Sequence, residues 1–262
     1  MSVFDEVTTW VPTGDGRYTG SVPDDWMQGR AAFGGLLGAG AIRLAEQVEP
    51  DRPVRSLEAR FFEPVAAGAF DVRVETLRAG RSLAHVQVEV WQADHRCYRA
   101  VVCLASARES DLVVPSAEAP PGREPEALPA MPYVAGLTPA FTQHVDFRFN
   151  QGMPFSGAKE ATIDGWCRFS AGSTGLAGVI GLLDTWPAPV LAMGTAPFPA
   201  STVHWTAHLL AAPETDPTAW YRYRAETRHS GGGTTTFVGR LWRRDGSLVC
   251  WSEQLAAVFD RR

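Results

Sequence analysis

Lysine is almost missing from this chain: Lys159 stands alone among 24 basic residues in 262. With 29 acidic residues the net charge is −5 and the pI is near 5.7, so there is no basic surplus for nucleic acid or an anionic membrane surface, and neither is predicted as a partner. Cysteine is scarce too. Cys97, Cys103, Cys167 and Cys250 form no C-x-x-C pair and no Cys/His cluster of zinc spacing, so no metal site is predicted. No apolar run approaches the ~20 residues that span a bilayer. The N-terminus, MSVFDEVTTW, has no basic stretch leading into an apolar core, and a signal peptide is not expected. A reduced, soluble, cytoplasmic protein is the expectation. The G-x-S-x-G elbow of serine hydrolases is absent, and SGGGTTT (230–236) has neither a lysine nor a following helix, which argues against nucleotide binding.

What is present is an ordinary globular composition, 45% hydrophobic and 20% charged, enough for a large core. A Pro/Ala/Glu-rich stretch without period 2 or 3.6 reads as an extended, semi-rigid linker. It predicts an N-terminal domain over 1–110, a linker over 111–139 and a C-terminal domain over 140–262. The two sides repeat. Residues 73–105 align with 224–256 at a constant offset of 151, with matches at Arg73/Arg224, Glu75/Glu226, Gly80/Gly231, Trp91/Trp242, Asp94/Asp245, Leu104/Leu255 and Ala105/Ala256.

Each side opens on an apolar, glycine-rich helix, predicted at 33–48 and 173–186. Alternating segments follow, at 54–63, 69–79, 82–93 and 96–107 and again at 200–211, 219–229, 233–243 and 247–259, with a further strand before each helix near 16–22 and 160–170. A helix apolar all round belongs in a core. The predicted fold class is therefore α+β: two halves, each a long antiparallel sheet wrapped around one buried helix.

One residue stands out against that pattern. In GLLDTWPAPVLA (181–192) an aspartate, Asp184, closes an apolar helix at the end where the macrodipole is negative. It is either an ordinary turn opener before Trp-Pro or a carboxylate placed for chemistry.

The order of FGGLLGAGAIRLAE, RSLEARFFEPVAAGAFDVRVETLRAGRS, LLDTWPAPVLA, PASTVHWTAHL and RDGSLVCWSEQLA resembles the double hot-dog, type II acyl-CoA thioesterase (TesB-like) family over nearly the whole chain. The resemblance implies a tandem hot-dog, hydrolysis of acyl-CoA to free acid and CoA, no cofactor, and a homo-oligomer. It implies three site groups in the second half: an Asp from the helix, a hydroxyl from the next strand and a Gln from the last strand. By motif these are Asp184, Ser201 or Thr202, and Gln254. Strand parity puts Ser201 on one face with Val203, Trp205, Ala207 and Leu209, and so favours Ser201 as the partner of Asp184. Both faces of the last strand are apolar, and parity leaves Gln254 open.

The chemistry suits such a set. A partly desolvated carboxylate has a pKa raised towards that of a useful general base, and a neutral amide and hydroxyl can hold water without competing for its proton. Trp166, Trp186, Phe198 and Trp205 are candidate walls for an acyl chain. Arg222, Arg224, Arg228, Arg240, Arg243 and Arg244 are candidate contacts for the CoA phosphates. A Ser201 triad with His204 or His208 is disfavoured, because both histidines fall on the other strand face. Glu46, near the end of the first helix, is expected to face solvent, and the first half to act as scaffold and part of the cleft. Two rival readings remain at this point: a non-hydrolytic acyl-binding hot-dog protein and a hot-dog dehydratase or hydratase.

Overall fold

The computed structural model describes residues 1–260. The first half runs α1 (Val3–Val7), β1 (Val11–Gly14), β2 (Arg17–Val22), a short pair β3 (Met27–Gln28) and β4 (Ala31–Ala32), α2 (Gly34–Val48), β5 (Val54–Phe61), β6 (Gly68–Ala79), β7 (Leu83–Gln92) and β8 (His95–Ala105). The second runs β9 (Val145–Gln151), β10 (Thr162–Phe169), α3 (Gly175–Leu183), β11 (Ala200–Leu209), β12 (Tyr221–Gly231), β13 (Thr234–Trp242) and β14 (Leu248–Val258). The two helices and ten long strands lie where the periodicity predicts them. Helix α1, strands β1 and β9 and the short pair β3 and β4 are additional.

The long strands form a single twelve-stranded sheet in the order β1-β2-β6-β7-β8-β5-β11-β14-β13-β12-β10-β9. Six neighbouring strands come from each half. The seam is an antiparallel pairing of β5 with β11, from His204↔Arg60 to His208↔Ser56, which no local pattern announces. Helices α2 and α3 lie against each other on one face of this sheet. Both are buried over most of their length: Gly34 to Ile42 in α2 and Ala177 to Leu183 in α3. Trp205, fully buried, fills the space between them, with its ring against Gly38 and the sheet at its back. Burying a Leu or Ile side chain is worth roughly 1.5–3 kcal/mol, so this shared helix layer is a principal source of stability.

The duplication holds, with one correction to its register. Val90 pairs with Tyr98, and the corresponding pair is Leu241 with Cys250: 90 + 151 = 241, but 98 + 152 = 250. The β7–β8 turn is two residues, Ala93 and Asp94, both at positive φ as a tight hairpin turn requires. The β13–β14 connection, Arg243–Ser247, is longer and follows a register shift at Leu241/Trp242. Leu104 and Ala105 are therefore not the counterparts of Leu255 and Ala256; Leu104 corresponds to Ala256, since Ala84↔Leu104 matches Thr235↔Ala256.

The stretch predicted as a semi-rigid linker packs on the C-terminal strands. The indole N–H groups of Trp166 and Trp242 donate to the carbonyls of Arg123 and Ala117, each at 2.9 Å. Arg244 adds charge-assisted bonds to Glu124 and to both oxygens of Glu126. Beneath Gly122 lies a buried ion pair of Arg222 and Asp164. The strap thus covers one face of the C-terminal strands, opposite the helices. Among the described residues no helix is long and apolar enough to cross a membrane.

Candidate active site

Asp184 is the residue that closes α3, its backbone N–H turned back to the carbonyls of Gly181 and Leu182. Its side chain leaves the second half and meets the first turn of α2. A Cβ on Gly34 would lie 2.7 Å from Asp184 Oδ2, so only glycine lets the carboxylate approach the helix so closely. Burial pushes the Asp184 carboxyl up to about 7. The Gln254 amide and the Gly35 backbone N–H, which both favour the charged form, hold it from rising further. By area the residue as a whole is half-buried rather than sealed in the core.

Gln254 is 3% exposed and turned to the helix side of β14. Its Nε2 donates to Asp184 Oδ1 at 3.0 Å, and its Oε1 accepts from Thr202 Oγ1 at 2.9 Å. The structure therefore brings Asp184, Gln254 and Thr202 into one hydrogen-bonded chain, and it leaves Ser201 outside. Ser201 is exposed. The parity expectation fails because of a β-bulge: Thr202 pairs with Ala256 and His204 with Leu255, so Val203 is an extra residue and the face alternation slips by one. Trp205, Ala207 and Leu209 point to the helices as expected, while Ser201 and Val203 do not.

The first half contributes more than scaffold. Phe61, at the end of β5, places its ring edge 3.2 Å from the same imagined Gly34 Cβ, beside Asp184. Tyr98 packs edge-on to Phe61 with ring centroids 5.1 Å apart, fully buried, its hydroxyl without a partner among the described residues. Burial and, secondarily, the Asp184 charge raise its phenol far above the ordinary value. Gly34, Gly35, Phe61 and Tyr98 were not among the predicted site residues. The FGG at the start of α2 was the available signal, since paired glycines at a helix start permit close approach.

Comparison with known proteins settles the family. Residues 22–106 match the acyl-CoA thioesterase N-terminal domain and residues 125–258 the acyl-CoA thioesterase C-terminal domain. The chain belongs to the acyl-CoA thioesterase family. It is a thioester hydrolase with a tandem hot-dog fold. Similar solved structures include a hot-dog protein of Alicyclobacillus acidocaldarius (TM-score 0.87, 24% identity, 98% of each chain covered). Others are the tesB protein of Mycobacterium avium subs paratuberculosis (0.81, 18%, 97% of this chain and 98% of that one) and the acyl-CoA thioesterase II TesB2 of Mycobacterium marinum (0.77, 18%, 98% of each). At these identities they attest the fold. No curated protein sequence matches this one.

Several peripheral expectations for this thioesterase change. Trp166 is no tunnel wall, because it lies under the docked strap. Trp205 is core between the helices, and Trp186 stacks on Tyr223 at 5.0 Å. Of the proposed phosphate arginines, Arg222, Arg224, Arg228, Arg243 and Arg244 face carboxylates of their own chain. His204 and His208 point away from Asp184, towards Thr206 and onto Trp251 respectively. The thiols of Cys97, Cys103, Cys167 and Cys250 are all pushed up by burial, Cys167 to about 12, which suits packing rather than nucleophilic attack. Glu46 is half-buried instead of solvent-facing.

Proposed function

We propose that the enzyme hydrolyses acyl-CoA with a water held at Asp184, Gln254 and Thr202. The observation that carries this reading is the chain Thr202 → Gln254 → Asp184, which ends on a carboxyl pushed up to about 7. Gln254 spends both ends of its amide on its neighbours and so fixes the orientation of the Asp184 carboxylate. That carboxylate takes the proton as the water oxygen attacks the thioester carbon. Negative charge then develops on the thioester oxygen, and the N-terminal end of α2 stabilises it through its dipole. As the intermediate collapses the C–S bond breaks, and the sulfur leaves as the thiol with the proton that Asp184 took up. The products are a free acid and CoA.

On this reading residues 140–262 carry the acid–base groups, residues 1–110 supply the helix end and the Phe61 wall, and residues 111–139 hold the strap. A homo-oligomer and a cytoplasmic location belong to the same proposal, on the family resemblance; sedimentation velocity tests the first. The deciding experiment measures thiol release from acyl-CoA of increasing chain length by the wild-type enzyme and by Asp184→Asn. Turnover by the wild type and its loss in the variant, with a non-hydrolysable thioether analogue still bound, supports the reading. Undiminished turnover in Asp184→Asn overturns it.

A further inference from the structure

The two halves are related by a pseudo-twofold, so the active site has a counterpart at the other end of the helix pair. Helices α2 and α3 start at Gly34 and Gly175, an offset of 141, and 43 + 141 = 184 puts Arg43 where the second half has Asp184. Val86↔Val102 corresponds to Phe237↔Gln254, which puts Val102 at the place of Gln254. A register shift at Val54/Ser56 repeats the bulge at Thr202/His204, which puts Val54 at the place of Thr202. The second place has lost the hydrolytic groups and gained a cation.

That cation is occupied by the chain's own N-terminus. Asp5 of α1, 4% exposed, forms an ion pair with Arg43 and accepts from the backbone N–H and the hydroxyl of Thr174, both at 3.2 Å, at the start of α3. Its second oxygen accepts from the Ser2 backbone N–H at 3.3 Å, and Arg43 also donates to Thr8 at 2.9 Å. Glu46, half-buried nearby, shares the field of Arg43. Next to Asp5, Phe4 lies on Phe169 with centroids 4.1 Å apart and close to Trp26, whose buried indole N–H has no acceptor among the described residues. A Cβ on Gly181 would come within 2.4 Å of the Phe4 ring, so α3 is notched for this side chain. A carboxylate on an apolar stem, seated between an arginine, a helix start and an aromatic wall, has the chemistry of a fatty acid.

We propose that the Arg43 end of the helix pair is a second acyl site, specific for a free fatty acid and plugged by α1. The ligand's carboxylate takes the place of Asp5 between Arg43 and Thr174, and its chain takes the place of Phe4 on Phe169. The ligand is of the product class of the activity proposed above, and in that respect the inference rests on that reading.

Calorimetric titration of the full-length protein with dodecanoate tests it. The double variant Phe4→Ala/Asp5→Ala binds one more dodecanoate per chain than the wild type, and adding Arg43→Leu removes the extra equivalent. The increment is what counts. A failure of the active-site reading changes the wild-type value, whereas a failure of the plug leaves the increment at zero. Equal stoichiometry in a folded double variant overturns the proposal. If that variant does not fold, hydrogen exchange on the wild type decides: saturating dodecanoate speeds exchange of the amides of α1, and unchanged exchange there overturns the proposal.

Discussion

The two ends of the helix pair share a scaffold and differ in three side chains. At one, Asp184, Thr202 and Gln254 form a polar chain; at the other, Arg43, Val54 and Val102 stand in the corresponding places. Both ends keep the strand bulge and both set a carboxylate against a helix start, Asp184 against α2 and Asp5 against α3. The carboxylates nevertheless behave oppositely. Burial pushes each up, but Ser2, Thr174 and Arg43 hold Asp5 below its ordinary value, while Asp184 has no cation beside it among the described residues and rises to about 7. A paired carboxylate is a structural anion. One without a cation, half-buried by area, is poised as a base.

The largest effect that tests this difference is on chemistry. Asp184→Asn is expected to lower kcat for thiol release about 10³-fold, the scale of a lost general base, with the far-ultraviolet circular dichroism unchanged. Next comes the approach of the helix. In Gly34→Ala the new methyl meets Asp184 Oδ2, and kcat falls roughly tenfold or more. Its counterpart Gly175→Ala has open space but a φ of +66°, so it costs about 1 kcal/mol in denaturant unfolding and leaves turnover unchanged. Thr202→Val, which keeps the shape and makes the site resemble Val54, is expected to cost about tenfold in kcat/KM, one hydrogen bond's worth of ~1.4 kcal/mol. Ser201→Ala stays within roughly twofold, as an exposed substitution should.

The smallest effect is on stability, and its sign follows from the raised carboxyl. Between the ordinary 3.8 and about 7 the folded state holds a proton on Asp184 that the unfolded chain has released. Stability therefore falls as pH rises through that window and levels off above it. Asp184→Asn has no such cost, so its Tm gain over the wild type is expected to be larger at pH 8 than at pH 5. The same ionisation makes wild-type kcat rise with pH and flatten above about 7. A flat Tm difference, or a kcat that falls through that range, breaks the contrast between the two carboxylates.

Local periodicity was enough to place both helices, ten long strands and the duplication, because each is written in the alternation of apolar residues. Periodicity made Asp184 conspicuous at the end of an apolar helix, but an Asp before Trp-Pro is also an ordinary turn opener, and only the family resemblance favoured a chemical role. Ser201 was misplaced because a bulge adds one residue without altering the apolar content of the strand, and only the cross-strand pairing shows it. The one-residue insertion in the β13–β14 turn escaped for the same cause. Phe61 and Tyr98 were not legible as site residues because they come near Asp184 only through the packing of the two halves, and α1 is too short to carry a helical period.

The seam between β5 and β11 has a consequence for synthesis. His204 follows its partner Arg60 by 144 residues (204 − 60), so at translation rates of roughly 5–20 residues per second β5 waits roughly 7–29 s for its neighbour. Through that interval it is a bare sheet edge on a nascent chain. Its charged residues Arg55, Glu58 and Arg60 put charge along that edge, the usual guard against pairing with another chain.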